Sequence, residues 1–212
     1  MGITIKGIFK TTNWHRKWWK DRKLDWASAY GNPEHPHRMK IIEALKQFRF
    51  TSVLELGMGA GANLVLIKQH FPKVDVGGID INAEAVEVAR KVLPNAGVLQ
   101  TGEATDVYLS NRGSDMILTD MCYIYLSLKD FKKAIKEAKR MARRGVVFCE
   151  FHEPRWWRRW LIKLATGYGA FDYRKALMKE GFHDIRITPL TPKDWPDTEE
   201  EKGLRAIIVA RI

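Results

Sequence analysis

The residues with the clearest capacity for chemistry sit in one short run, Val53-Leu-Glu-Leu-Gly-Met-Gly-Ala-Gly-Ala-Asn-Leu64. Glycines at 57, 59 and 61 let the chain reverse sharply and leave no Cβ atoms where a ligand must approach the backbone. Glu55 stands two residues before the first of them. Further acids recur downstream: Asp80 in Gly77-Gly-Ile-Asp-Ile-Asn82, Glu103 between Gly102 and Ala104, and Asp120 after Thr119. Asp80 lies nineteen residues after Gly61, the spacing at which a carboxylate meets ribose hydroxyls.

Two ligand chemistries compete for this set. Gly57-x-Gly59-x-x-Ala62 fits the dinucleotide G-x-G-x-x-G/A fingerprint, whose turn holds a pyrophosphate. Acids after each of the first four strands argue otherwise, since Glu55 would repel a phosphate beside the turn. They favour a cationic sulfonium ligand with an α-amino group, hydroxyls and no phosphate.

Proton-transfer candidates lie further on. Glu150 and His152 are two apart in Val146–Phe151 and its extension, so on a strand they face one side, beside Asp120. That pattern fits a base that orients an acceptor, and it equally fits a pair bonding to loop backbone. His35-Pro-His37-Arg38 offers two imidazoles and a guanidinium, of which His37 and Arg38 are read as substrate contacts. A metal would need a third ligand that the sequence does not identify, so none is expected. In Pro154–Leu164, helical spacing gathers Trp156, Trp157, Trp160, Leu161 and Leu164 on one face, with Arg155, Arg158, Arg159 and Lys163 mainly opposite. A lid, an interfacial membrane helix and a nucleic-acid or protein contact all fit. The expectation adopted is a mobile cover over the acceptor at about 153–170, with Trp156 touching substrate.

The elements that must position these groups alternate in type from residue 51 onward, which predicts an α/β fold. Strands are expected at Ser52–Leu56, Val74–Ile79, Gly97–Thr101, Asp115–Thr119 and Val146–Phe151, the last opened by Gly145. Helices are expected at Ala62–His70, Ala83–Val92 (capped by Asn82), Asp130–Met141 and Phe171–Glu180, with Gly181 just past the end. Two β-like runs, Asp184–Thr188 and Arg205–Ile212, close the chain as an antiparallel pair. Residues 1–50, with Trp14, Trp18, Trp19 and Trp26, read as capping helices, one at about Arg38–Gln47, placed before a catalytic domain at 51–212.

Composition narrows the class. The chain has 212 residues and a net charge of +11. The charge is +7 over residues 1–50, −4 over 51–127 and +8 over 128–212, so the acidic motif region lies between basic flanks. Those flanks leave open an anionic or amphiphilic small molecule, nucleic acid, or a peripheral membrane contact. No apolar run reaches the roughly 18–20 residues of a membrane span. Met1–Lys10 lacks the apolar core of a secretory signal. With Cys122 and Cys149 read as reduced and mostly buried, a cytoplasmic protein is expected.

Glu55-x-Gly57-x-Gly59-x-Gly61, Gly-Ile-Asp80, Gly102-Glu103-Ala104 and Asp115-Met-Ile-Leu-Thr-Asp120 resemble, in order, the motifs of class I S-adenosylmethionine (SAM)-dependent methyltransferases. The resemblance covers about residues 36–212. It implies a seven-stranded Rossmann-like sheet, mostly parallel with an antiparallel C-terminal strand, helices on both faces, and SAM as cofactor. It assigns the 57–61 turn and Glu55 to the methionine part, Asp80 to the ribose hydroxyls and Glu103 with Ala104 to the adenine, with Ile81 and Gly102 as further cofactor contacts. Thr119 and Asp120 would line the methyl-transfer site, with Asp120, Glu150 and His152 as catalytic candidates. Asp120-Met-Cys-Tyr123 occupies the place of the (Asn/Asp)-Pro-Pro-Tyr motif of amino-group methyltransferases, but both prolines are missing. Tyr123 and Tyr125 are therefore expected as pocket walls. The expected activity is methyl transfer to an oxygen or nitrogen of a small or medium-sized acceptor. An RNA methyltransferase and a non-catalytic basic binding protein on a Rossmann scaffold are the alternatives.

Overall fold

The computed structural model describes residues 12–196 and 203–212. Met1–Lys10, read above as carrying no secretory signal, lies outside the described residues, as does part of the polar loop between the last two strands.

Seven strands form one sheet: β1 (Ser52–Leu56), β2 (Asp75–Asp80), β3 (Leu99–Thr101), β4 (Ser114–Asp120), β5 (Ala142–Phe151), β6 (His183–Pro189) and β7 (Arg205–Arg211). Their order is β3-β2-β1-β4-β5-β7-β6. β1 to β5 run parallel, and β7 inserts antiparallel between β5 and β6. The sheet therefore has the expected form. Its central strands are buried on both faces, so they read as apolar runs rather than alternations.

Among the described residues eight α-helices accompany the sheet: α1 (Thr12–Lys20), α2 (Trp26–Tyr30), α3 (Pro36–Leu45), α4 (Ala62–His70), α5 (Ala83–Val92), α6 (Leu128–Met141), α7 (Trp156–Thr166) and α8 (Tyr173–Lys179). On one face, Ile41 and Leu45 of α3, Leu64 and Ile67 of α4 and Val86 and Ala89 of α5 pack on the sheet. On the other, Phe131, Ile135 and Ala138 of α6 and Tyr173 and Leu177 of α8 do so. Asn82 caps α5 through its side chain, which accepts from Ala85 N, and Gly181 takes φ +76° just past α8.

One boundary is corrected. β5 starts at Ala142 rather than near Gly145, because Met141 ends α6 and the chain passes straight into pairing with Ser114. Gly145 lies inside the strand, where a Cβ would meet Ala210 O at 2.4 Å.

Candidate active site

Strand order reverses between β1 and β4, and ligands of open α/β sheets bind at the carboxyl ends of strands beside such a switch point. There the glycine turn leaves β1. Gly57 N and Met58 N donate to Ile79 O at 2.7 and 3.1 Å, tying the turn to β2. Gly57, Gly59 and Gly61 take φ of +76°, +54° and +84°. A Cβ on Gly57 would meet Cys122 Sγ at 2.6 Å, whereas the nearest atom to one on Gly59 is Tyr30 Cβ at 3.9 Å. Gly57 is thus required by packing and conformation together, and Gly59 by conformation at a surface left clear for a ligand. Gly61 is the N-cap of α4, packed toward Leu93, and does not line the cavity.

The cavity at this end of the sheet has a volume of about 780 Å³. Its floor includes Glu55, Gly57, Gly59, Asp80, Ile81 and Asp120, and one side carries Gly102, Glu103 and Ala104. The N-terminal segment supplies a wall from Trp19, Trp26 and Tyr30. Trp26 is buried because α2 sits over Ala60 of the turn and Ala85 of α5.

A polar network joins the N-cap and first turn of α3 to the ends of β1, β2 and β4. Asp80 accepts from Gly59 N at 2.9 Å and Asn82 N at 2.8 Å. Asn63 Nδ2 donates to Glu55 at 2.6 Å and to Asp120 at 3.0 Å, while its Oδ1 accepts from Arg38 at 2.6 Å. Arg38 also reaches Asp120 at 3.0 Å, and His37 Nε2 meets the same carboxylate oxygen at 2.8 Å. The other nitrogen of His37, Nδ1, lies 2.5 Å from His35 Nδ1. His35, His37 and Asp120 form a continuous line into the cavity wall.

Electrostatics divide the acids. Burial alone would raise Asp120, but His37, Arg38 and Asn63 outweigh it and hold the carboxyl well below the usual range. Burial drives Glu55 up to about 8, against the hydrogen bond from Asn63, with Asp120 adding to the rise. Glu103 is ion-paired with Arg16 of α1. Burial raises Asp80, and no ion pair of Asp80 is recorded among the described residues. Of the expected anionic strand ends, Glu55 is thus raised by burial, and Glu103 and Asp120 are paired with cations from residues 1–50. Among the described residues, two buried carboxyl oxygens, Glu55 Oε2 and Asp120 Oδ1, have no hydrogen-bond partner. Such atoms are costly unless a donor arrives. Cys149 Sγ lies within 4.8 Å of ligand atoms of His37 and Asp120. Burial raises that thiol well above its ordinary range, with the Asp120 and Glu150 charges adding to the rise.

Five further predicted site residues lie off the cavity. Glu150 and His152 do share a face of β5, but it is the α6–α8 face. Glu150 is fully buried, accepts from Cys122 N and Tyr123 N at 2.9 Å each, and is raised to about 8 by burial. His152 is half-buried, lowered by burial, and bridged to Phe171. Neither lines the cavity; Phe151, which alternates with them, does. Tyr123 is a core residue between Phe131 and Phe148, and Thr119 is buried within β4. Trp156 points to solvent, 73% exposed. Tyr125, His37 and Arg38 line the cavity. Sequence reading missed Asn63 and His35. Asn63 was legible only as a polar residue on the otherwise apolar first turn of a helix.

Residues 53–145 match the methyltransferase-domain family. A demethylmenaquinone methyltransferase of Thermotoga maritima is 24% identical over 119 residues, 55% of this chain, and the chain spans about half (51%) of that relative's length. Among solved structures, the geranyl diphosphate C-methyltransferase of Streptomyces coelicolor A3(2), in complex with S-adenosyl-L-homocysteine, superposes with a TM-score of 0.69. It is 12% identical, with 94% of this chain and 96% of that one covered. A putative O-methyltransferase of Nostoc punctiforme gives a TM-score of 0.66 at 19% identity, covering 88% of this chain and 59% of that one. Residues 53–145, which carry the match to the methyltransferase-domain family, thus lie on a seven-stranded sheet whose fold the chain shares with methyltransferases of solved structure.

Proposed function

We propose that the protein transfers a methyl group from SAM to an oxygen or nitrogen nucleophile of a small or medium-sized acceptor. The observation that carries the reading is the pair of orphaned oxygens, Glu55 Oε2 and Asp120 Oδ1, in a cavity at the switch point. SAM offers an α-ammonium and ribose hydroxyls as donors and carries no phosphate, so the residues present fit it. Glu55 and Asp120 with the 57–61 turn would take the methionine part, Asp80 the ribose, and Ile81, Gly102, Glu103 and Ala104 the adenine. When bound, SAM supplies an electrophilic methyl group on a sulfonium, a leaving group that needs little further activation.

The chain's own contribution is orientation, exclusion of water and removal of the acceptor's proton. Aromatic side chains of residues 19–30, with Tyr125 and Phe151, wall the cavity. A proton taken up by His35 passes along its contact with His37, and the resulting imidazolium is stabilised by ionised Asp120. Arg38 and Asn63 hold that carboxylate in place. The cavity lining, which includes His35 and His37 and leaves out Glu150 and His152, supports the histidine pair for the proton-accepting role.

Titration calorimetry with SAM, S-adenosylhomocysteine and NAD tests the cofactor reading. Micromolar-range binding of the first two and negligible heat with NAD is expected; tight NAD binding without SAM heat would overturn it. A methyl-release screen over phenolic, carboxylic and amine acceptors tests the acceptor class. His37→Ala should depress turnover on whichever acceptor responds.

A further inference from the structure

The helix α7 is mounted inside out. Its inner side is the side that carries the charges. Arg158 holds the Glu153 carboxylate at 3.2 Å, Arg159 donates to the carbonyls of Glu153 and Pro154, and Lys163 donates to Gly167 O at 2.5 Å. Of its apolar residues, Ile162 packs inward, against the cluster of Met121, Tyr125 and Tyr168 that also borders the cavity. The apolar arc faces water: Trp156 is 73% exposed, Trp160 62%, Trp157 47% and Leu161 46%. No residue of α7 is buried. At 100° per residue these four side chains are contiguous, and Arg158 and Lys163 border the arc on its two sides.

A second aromatic and basic helix adjoins it. His15 Nε2 of α1 contacts Gly167 O, the C-cap of α7, at 3.0 Å. Trp14 and Trp18 of α1 are both exposed, and Arg16, Lys17 and Lys20 lie on the same helix. Neither α1 nor α7 contains an acidic residue.

From this arrangement we infer that α7, with α1 beside it, docks on an anionic lipid surface next to the mouth of the cavity. Four large apolar side chains in one exposed arc exceed what a monomer leaves wet without use. Tryptophan and leucine on one arc with arginine and lysine at its margins is the pattern of a helix lying in the headgroup layer. The indole rings take the interfacial depth, and the flanking cations meet the negative headgroups. A nucleic-acid surface would interleave its cations between the stacking rings, whereas here the cation beside an arc ring, Arg155 at 5.9 Å from Trp157, stands at the N-cap of the helix and is ion-paired with Glu153. No described helix is long and apolar enough to cross a membrane, so the contact is with the surface.

Flotation of the full-length protein with vesicles tests this. Two compositions serve: phosphatidylcholine alone, and phosphatidylcholine with about one third phosphatidylglycerol. Binding to the anionic vesicles is expected, weakened but not abolished by about 0.5 M salt, since the indole contribution is not screened. The double variant Trp156→Ser/Trp160→Ser removes only solvent-facing side chains, and circular dichroism checks its fold. It should bind anionic vesicles roughly tenfold or more weakly. Failure of the wild type to float, or equal flotation by the double variant, overturns the inference. So does a dimer that the double variant converts to monomer, which would make a second copy the occupant of this face. Retention of RNA lost in the same variant, without vesicle binding, would assign the face to nucleic acid. None of these readouts uses cofactor or turnover, so their failure leaves the methyl-transfer proposal standing.

Discussion

Replacing Glu55 by glutamine removes a carboxyl that the fold keeps protonated. The ordinary value of 4.5 is raised to about 8, chiefly by burial. For an acid raised in the folded state, the unfolded chain ionises first. The native state therefore loses stability relative to the unfolded state as pH climbs from about 4.5, and the loss levels off above about 8. At 1.36 kcal/mol per unit, the loss approaches about 5 kcal/mol at pH 8 and about 3 kcal/mol near pH 7, as upper bounds. Glutamine carries no such penalty, and its carbonyl still accepts from Asn63, the contact that Glu55 makes at 2.6 Å. Glu55→Gln should match the wild type in urea midpoint at pH 5 and exceed it by a widening margin up to pH 8. Glu150, also raised to about 8, is present in both proteins and cancels in the difference. The gain should carry a functional loss, because the carboxyl can give up its proton when the ammonium of SAM arrives and an amide cannot. Parallel stability curves for the two proteins between pH 5 and 8 would refute the assignment of Glu55 as a buried neutral acid in the ligand-free protein.

Four further outcomes follow from the site. Asp80→Ala should weaken SAM and S-adenosylhomocysteine binding by roughly 1–3 kcal/mol in calorimetry, the cost of removing a buried hydrogen-bond partner. Asp120→Asn should lower turnover by about 10²–10⁴-fold if the histidine line removes the acceptor's proton, while His152→Ala, outside the cavity, should leave kcat/KM within about twofold. Gly57→Ala should destabilise the fold by about 2 kcal/mol or more, read by denaturant unfolding, because φ +76° and Cys122 Sγ at 2.6 Å both oppose a Cβ. Asp120 is lowered by His37 and Arg38, so the stability it contributes is present above its ordinary value of 3.8 and lost as pH falls below it. Asp120→Asn should accordingly flatten the acid limb of the pH–stability curve.

Local chemistry made much of this protein legible before folding was considered. Apolar runs of five or six residues alternating with helical periodicity define β1 to α5 within a residue or two, because those patterns report the burial of each element separately. Glycines 57, 59 and 61 all take positive φ, and a three-glycine turn after an apolar strand admits few other readings. The acids at 55, 80, 103 and 120 were found for the same reason: each closes or follows a strand, and parallel strands carry such residues to one end of the sheet.

Tertiary packing decided which groups meet. That Glu150 and His152 share a face follows from strand alternation, but which face meets the cavity depends on where α6 and α8 settle, and they settled over this pair. His35 and His37 reach Asp120 across more than eighty residues of chain, a contact that no local pattern records. The anionic pocket expected from four acids is offset in part for a similar reason, since Arg16 and Arg38, both from residues 1–50, pair with Glu103 and Asp120. The periodicity of α7 showed that it has an apolar arc. Only its ion pairs to Glu153 and the inward packing of Ile162 determined that the arc faces outward. A helical pattern states which residues share a side, and the free energy of the assembled neighbours selects the side that is buried.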